Sequence, residues 1–457
     1  MADAPTAAEL ADWTSRGPRY TSYPPATEFA AVTPGAVQRE LAELAARREP
    51  LSLYVHVPFC RSLCWYCGCN VIPTRDASRG AAYVEDLGHE LALLAPAVAG
   101  APVTELALGG GSPNFLAPDV LRQLCAAIEG RFAVAPDARR SIELDPRTTT
   151  SAQLEALAEL RFGSLSMGVQ DFAEAVQDAI HRHQTVLQTR WLLDRARALG
   201  FDDINIDMVY GLPRQTEASF AHTLDTVIAL APDRIALFGY AHLPDRLPHQ
   251  RLVEHAGPVP DAPTRAALLL RGIAQLTAAG YVHVGLDHFA RPGSRLARAA
   301  AEHRLARSFQ GYTEQRARAV LGLGVSAISS TPRMHWQNHA ALPAWRDAVR
   351  AGALPVARGC ALDDDDRVRG AVIGRLMCDG EVDLARLGAE HGVDGPAYFA
   401  SELAALDGLA ELARYDGATR TLRTTPFGRL LVRNVCMVFD RYHQAAAPGA
   451  ARFSPTI

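Results

Sequence analysis

The chain has 457 residues, 48% of them apolar, with 46 Lys and Arg against 50 Asp and Glu for a formal net charge of −4. That length holds one large domain plus a smaller one, with enough apolar residues for a well-buried core. A balance so close to neutral excludes the global electrostatic footprint of a nucleic-acid-binding protein, though not a local basic patch.

The opening "MADAPTAAELADWTSRG" has neither a basic start nor an apolar h-region, so it does not read as a secretory signal. The longest uncharged apolar run, residues 91–103, carries two prolines and is too short for a membrane span. The expected setting is cytoplasmic, with no membrane span and no nucleic acid among the partners. Residues 1–48 read as an arm around "GPRYTSYPP" followed by one helix. From there strand-like and helix-like segments alternate. "LSLYVHVPF" is a strand, and a helix follows near 80–94. "VTELALGGG" is a strand running into a glycine turn, and "PDVLRQLCAAIEGRF" a helix with Pro118 in its first turn. "RSIELDPR" is a strand, "SAQLEALAELRF" a helix capped by Ser151. Then come the strand "SLSMGVQDF", the helix "VLQTRWLLDRARALGF", the strand "DDINIDMVYGLP" and the helix "ASFAHTLDTVIALA". "DRIALFGYAHLP" is a strand, "APTRAALLLRGIAQLTAAGY" a helix and "VHVGLDHFAR" a seventh strand.

Alternation of this kind implies a parallel sheet with helical crossovers, a full or partial (β/α) barrel over residues 49–290. The chemically suggestive residues sit at strand C-termini: Cys60, Gly109 to Ser112, Glu143 and Asp145, Gln170 and Asp171, Asp207 and Tyr210, Tyr240 and His242. That is the end at which parallel α/β folds build their sites. Residues 291–360, with "FQGYT" and "LGLGVSAISS", read as a segment that connects or completes the barrel. After "LDDDDR", expected to be a solvated turn, residues 361–457 read as a small, mostly helical and winged-helix-like domain. "His181-Arg182-His183" reads as ordinary helix. Cys125, Cys360, Cys378 and Cys436 lie in apolar surroundings and read as buried structural thiols.

The other four cysteines, Cys60, Cys64, Cys67 and Cys69, fall within ten residues, in "FCRSLCWYCGCN". In a reducing compartment such a cluster reads as a metal or redox site. Structural zinc sites usually join two Cys-x-x-Cys knuckles from separate places, and no second knuckle exists here. Three thiolates at C-x3-C-x2-C better suit an iron–sulfur cube with one iron left open. This spacing resembles the signature of the radical S-adenosylmethionine (SAM) superfamily. The resemblance implies a partial barrel of the radical SAM type and a [4Fe-4S] cluster on Cys60, Cys64 and Cys67, whose open iron binds SAM. The implied chemistry is reductive cleavage of SAM, then hydrogen abstraction from an unactivated carbon.

Longer strings narrow the resemblance. "PRYTSYP", "LYVHVPFC", "CGCN", "SMGVQDF", "INIDMVYGLP", "DHFARP", "FQGYT", "GVSAIS" and "GRLLVRNVCMVFD" are similar to the oxygen-independent coproporphyrinogen III oxidase family. That resemblance implies two SAM molecules. Tyr54, Gly110 and Glu143 match residues holding the first, with Gly111 and Ser112 adjoining. Tyr66, Gln170, Arg182, Asp207, Ala241 and Ile328 match residues around the second. Catalytic roles are implied for Tyr54, Glu143 and Cys69, a fourth cysteine that does not ligate the cluster. Arg19, Tyr20, Tyr23, Phe309 and Gln310 resemble elements near the substrate, coproporphyrinogen III. Arg19, Arg182 and Arg291 are candidates to pair with its propionates, because guanidinium and carboxylate match as forks. A low-potential electron donor such as flavodoxin or ferredoxin and a monomeric state are further expectations. Tyr66 where Phe is common, "CNVIP" for "CNKI" and "RHQ" for "REQ" depart from the pattern. The competing readings are a haem-binding radical SAM chaperone, a SAM methyltransferase and a non-enzymatic zinc-binding interaction module.

Overall fold

The computed structural model describes residues 5–309, 311–314, 317, 319–445 and 453–457. Its centre is a 12-stranded sheet. Six strands come first in chain order: β1 (Leu51–Val57), β2 (Pro102–Gly110), β3 (Ala133–Leu144), β4 (Ser164–Gln170), β5 (Asp203–Tyr210) and β6 (Arg234–Gly239). All are parallel and pair in sequence order. Between them run the crossover helices α1 (Ser78–Leu94), α2 (Pro118–Glu129), α3 (Ser151–Glu159), α4 (Val186–Ala198) and α5 (Glu217–Leu230); α6 (Ala262–Ala278) follows β6. Helix α2 illustrates the packing. Val120, Leu121, Leu124, Cys125 and Ile128 recur at helical spacing and are buried, a stripe in which each large apolar side chain contributes about 2 kcal/mol. The cap of α3 is Thr150, one residue before Ser151, in a reciprocal box with Gln153.

The seventh expected strand is a hairpin. β7 (Val282–Gly285) and β8 (His288–Ala290) are antiparallel, and β8 runs antiparallel to β6. Leu286 adopts a left-handed φ of 42° between them, and a chain that reverses in so few residues cannot supply a parallel crossover. The seventh parallel strand comes from the glycine-rich segment instead. β9 (Leu305–Ser308) and β10 (Gly311–Glu314) form a separate hairpin, and β11 (Ala319–Leu323) then pairs with β1 in parallel. β12 (Ile328–Ser330), β13 (Met334–Asn338) and β14 (Val356–Ala361) extend that flank antiparallel. The sheet order is β14-β13-β12-β11-β1-β2-β3-β4-β5-β6-β8-β7, a wall with two ends rather than a closed ring.

Strand alternation sorts the two faces. Leu165 and Met167 on β4, Ile204 and Ile206 on β5, and Ile235 and Leu237 on β6 are fully buried in the main hydrophobic core. The residues between them, Ser164 and Ser166, Asn205 and Asp207, Arg234 and Ala236, line an internal cavity with Arg139, Ser141 and Glu143 of β3. The inner face is therefore polar, which serves a bound ligand and not a packed barrel core.

Past β14, helix α7 (Asp364–Asp379) leads into further helices and a three-stranded antiparallel sheet of β15 (Glu381–Asp383), β17 (Thr421–Thr424) and β16 (Ala413–Asp416). The "DDDD" run is more than a solvated turn. Asp363 caps α7 by accepting from the Asp366 amide, and Arg441 pairs with Asp363, Asp365 and Asp366 at 2.7 to 3.0 Å. Cys360, on β14, is half-buried, whereas Cys125, Cys378 and Cys436 are buried. A short helix, Ala7–Asp12, precedes the N-terminal arm. The arm is clasped by the buried Arg433, which donates to the carbonyls of Pro18 (2.9 Å), Pro455 (2.8 Å) and Gly17.

Candidate active site

The four-cysteine loop leaves the C-terminal end of β1. Its two ends are pinned together, because Phe59–Cys60 pairs in parallel with Ile72–Pro73. The Cys67 amide donates to the Cys64 carbonyl at 3.1 Å, closing a turn between two of the thiols. A loop with no regular secondary structure cannot pair all of its own backbone groups, so its neighbours hold them. The Trp65 amide donates to Ile180, His181 Nδ1 to Leu63 and Asn70 Nδ2 to Ala340, at 3.0 to 3.1 Å. Gln250 Nε2 donates to the Tyr66 carbonyl at 2.9 Å and His249 Nε2 to that of Cys67 at 2.8 Å. Tyr66 itself joins an apolar cluster with Val176, Ile180 and Tyr240.

Each thiol meets a different environment. Cys60 Sγ lies 3.6 Å from Ser112 Oγ, and burial pushes its thiol up to about 11. Cys64 Sγ accepts from Arg182 Nη1 at 3.4 Å and Arg147 Nη2 at 3.6 Å. Hydrogen bonds from the Cys69 side chain and backbone hold Cys67 below the usual thiol range, and that interaction pushes Cys69 up. Arg147 forks onto Asp145 at 2.6 to 3.1 Å, and Arg182 reaches the same carboxylate at 3.4 Å. Burial alone would raise Asp145; Arg182 and Arg147 hold it below the usual carboxylate range. Two guanidiniums share one carboxylate, which leaves positive charge for the thiolates. Arg182 Nε is buried without a hydrogen-bond partner among the described residues. Among those residues no three His, Cys, Asp or Glu side chains converge on a single ion-sized point; a cube bound one thiol to one iron does not require them to.

Beside the loop lies a cavity of about 390 Å³, lined by Cys69, Glu143, Asp207, Arg19 and Phe309 among others. Glu143 accepts from the Gly110 amide at 3.0 Å, and burial pushes its carboxyl up to about 7. Asp207 accepts from Ser166 Oγ (2.9 Å) and Asn205 Nδ2 (2.7 Å), and burial raises it too. Gly110 has φ +108°, and a Cβ there would sit 2.5 Å from the His56 ring, so only glycine fits. Burial keeps His56 neutral. Its Nε2–H donates to the Asn70 carbonyl at 3.0 Å, which leaves Nδ1 to accept the Tyr54 hydroxyl at 3.2 Å. Phe309 meets Tyr54 edge-on, ring centroids 4.6 Å apart. Gln170 is left-handed at φ +71° beside a register shift between Gly168 and Gln170, a bulge that re-aims the end of β4. Ala241 is held through its carbonyl by Gln250 at 3.2 Å. Ile328 lines an adjoining cavity of about 450 Å³ with Phe309.

The model of the radical SAM superfamily matches residues 54–227. Oxygen-independent coproporphyrinogen III oxidases from Pseudomonas aeruginosa and Bradyrhizobium diazoefficiens are 41% and 42% identical to this chain. Each covers 93% of it, and the chain covers 93% and 95% of them. The solved coproporphyrinogen III oxidase from Escherichia coli, described as a radical SAM enzyme, superposes with a TM-score of 0.89 at 41% identity. The match covers 93% of this chain and 97% of that one. The chain belongs to the oxygen-independent coproporphyrinogen III oxidase family.

The residues present fit the groups that radical SAM family membership implies, a [4Fe-4S] cluster and SAM. Three thiols share one loop, one of them against two guanidiniums, and a polar cavity with two buried carboxyls adjoins them. The structure brings Cys60, Cys64, Cys67, Ser112 and Arg182 to the loop, and Tyr54, Gly110, Gly111, Glu143, Gln170 and Asp207 to the strand ends beside it. Tyr20 and Tyr23 are not on the inner cavity. Tyr20 donates its hydroxyl to Asp440 at 3.0 Å, and the Tyr23 hydroxyl accepts from the Arg441 amide at 3.2 Å, so both dock the arm on the C-terminal helices. Gln310 lies outside the described residues. Arg291 is at the opposite end of the barrel, its amide on the Asp233 carbonyl that precedes β6. "His181-Arg182-His183" is not helical, because His181 ends its helix at a left-handed φ of 53° and so turns Arg182 inward. Sequence reasoning passed over His56, Arg147, His249 and Gln250. The first two had a signal, alternation with Tyr54 and an Asp-x-Arg at a strand end. The last two, 182 and 184 residues along the chain from the loop carbonyls they hold, had none.

Proposed function

We propose that this chain oxidatively decarboxylates coproporphyrinogen III to protoporphyrinogen IX without oxygen, in haem biosynthesis. The propionates on rings A and B become vinyls and two CO2 are released. The observation that carries this reading is the placement of Cys69 on the polar cavity, facing Glu143 and Asp207, directly beyond the three-cysteine loop. Cys60, Cys64 and Cys67 hold the cluster, and Arg147 and Arg182 neutralise charge on its thiolate side. When bound, the cluster and SAM supply reductive sulfonium cleavage and hydrogen abstraction from an unactivated carbon.

This chain's own residues then do ordinary work. Gly110, Gly111 and Ser112 present bare backbone and a hydroxyl to one SAM. Glu143, buried with the Gly110 amide as its hydrogen-bond donor, is completed by an ammonium group. Tyr54, fixed by His56, walls that position. Tyr66, Gln170, Arg182, Asp207, Ala241 and Ile328 surround a second SAM, and Arg19 and Phe309 face the tetrapyrrole. Residues 49–290 form the catalytic barrel, 291–360 complete it on the β1 side, 1–48 bring the arm to the substrate, and 361–457 form the smaller, mostly helical domain. The enzyme works as a monomer fed by flavodoxin or ferredoxin.

The test is anaerobic reconstitution with coproporphyrinogen III, SAM and a reductant. Protoporphyrinogen appearing together with 5′-deoxyadenosine supports the reading. SAM cleavage over intact substrate refutes it in favour of a haem-binding homologue.

A further inference from the structure

Most arginines on the cavity wall are already neutralised. Arg139 and Arg234 both pair with Asp203, at 2.7 and 2.6 Å, and Arg19 pairs with Asp287 at 3.1 Å. Arg307 is different. Its guanidinium lies 4.9 Å over the Tyr312 ring, its cross-strand partner in the β9–β10 hairpin. Its Nε donates to the Arg19 carbonyl at 3.2 Å. Its Nη1 is buried with no hydrogen-bond partner among the described residues, and none of their carboxylates pairs with it. A second orphan faces the same cavity: His288, whose ring is T-shaped to Tyr312 at 5.2 Å, has a buried Nδ1 with no hydrogen-bond partner among the described residues.

Arg307 also sits at a junction, shared only with Thr21 among the residues lining these cavities. It lines the 390 Å³ barrel cavity, the adjoining 450 Å³ cavity and an outer cleft of about 960 Å³ between the arm and the C-terminal helices. A buried guanidinium edge without an acceptor is costly unless an anion completes it. With one face stacked on Tyr312 and Nε anchored, the remaining edge is preorganised for a carboxylate.

We propose that Arg307 receives a propionate carboxylate of the tetrapyrrole where the barrel cavity opens into the outer cleft. This rests on the tetrapyrrole reading given above and names the residue that positions the substrate. Arg307 acts by binding, so its loss raises KM and leaves kcat and SAM affinity nearly unchanged.

The experiment is anaerobic fluorescence titration of the reconstituted full chain with coproporphyrin III and with its tetramethyl ester, whose carboxylates are neutral. Wild type, R307M and R307K are compared, with SAM affinity measured in parallel. R307M is expected to weaken tetra-acid binding about 10- to 100-fold, the worth of a charged hydrogen bond. The ester should bind wild type and R307M alike, and R307K should recover part of the loss. Undiminished binding of the tetra-acid to R307M overturns the proposal, as does an equal loss for acid and ester or a loss confined to SAM. Should R307M fail to fold, R307Q is read in the same way. Wild type binding neither porphyrin overturns the tetrapyrrole reading, and the Arg307 assignment with it.

Discussion

Glu90 on α1 offers a test of how the barrel wall is held. Its carboxyl is fully buried and accepts from the Gly324 amide (2.7 Å), Asn338 Nδ2 (2.6 Å) and Trp345 Nε1 (3.1 Å). It thereby ties α1 to the loop between β11 and β12, whose Ala327 packs on Tyr54. Burial pushes Glu90 up to about 7 from an ordinary 4.5, against the pull of those three donors. The folded state thus holds the proton more tightly than the unfolded one. That contribution to stability is complete below pH 4.5 and is lost as pH rises through about 7. At ~1.36 kcal/mol per tenfold in proton affinity, the difference approaches about 3 kcal/mol at pH 8. Hydrogen exchange of the Gly324 and Val325 amides, corrected for intrinsic pH dependence, reads this local opening. Protection should fall by about 100-fold between pH 5 and pH 8 in wild type. E90Q, with nothing to ionise, should show a flat profile. Equal pH dependence in wild type and E90Q would refute the reasoning.

Cys64→Ser should abolish the iron–sulfur chromophore, whereas Cys69→Ser should keep it and lose turnover; absorbance and product analysis of anaerobic preparations separate the two. A competent cluster in Cys64→Ser defeats the ligand assignment. Gly110→Ala combines a left-handed backbone with a clash into His56, and should cost about 3 kcal/mol locally. SAM binding measured by calorimetry should weaken correspondingly, and unchanged affinity contradicts the close-approach role. Arg433→Met strands buried carbonyls of the arm and of residue 455, at a cost of about 3 kcal/mol. Limited proteolysis should then cut within residues 13–24 faster than in wild type, and an unaltered cleavage rate argues against the clasp.

The parallel core was legible because its strands are local. Alternation in "SLSMGVQ" and "DINIDMVY" marks period 2, and the caps mark the helices between. What escaped depended on partners far away in the chain. "VHVGLDHFAR" has one strand's composition, and a turn at Gly285 and the left-handed Leu286 divides it. "AVLGL" carries no mark of direction, and its parallel pairing with β1 is decided by distant backbone. In the site, cysteine spacing and strand-end placement located the ligand loop and Glu143. Arg307 looked like any arginine in a short strand; its meaning comes from losing a carboxylate partner that Arg139, Arg234 and Arg19 each have. Tyr20 and Tyr23 stood within a motif that pointed to the substrate; they line the outer cleft, and their hydroxyls bond to Asp440 and to the Arg441 amide, pairings the motif did not announce.

The grip of Arg433 on both ends of the chain bears on how the protein is made. During translation the strands through β8 are complete once residue 290 has left the ribosome. The arm that walls the cavity through Arg19 and Thr21 cannot be fastened until residues 433 and 455 follow. At ~5–20 residues per second that delay is on the order of ten seconds. Throughout that interval nothing from the C-terminal segment holds the arm across the cavity, so the strand barrel has to stand without that wall while the rest of the chain is made.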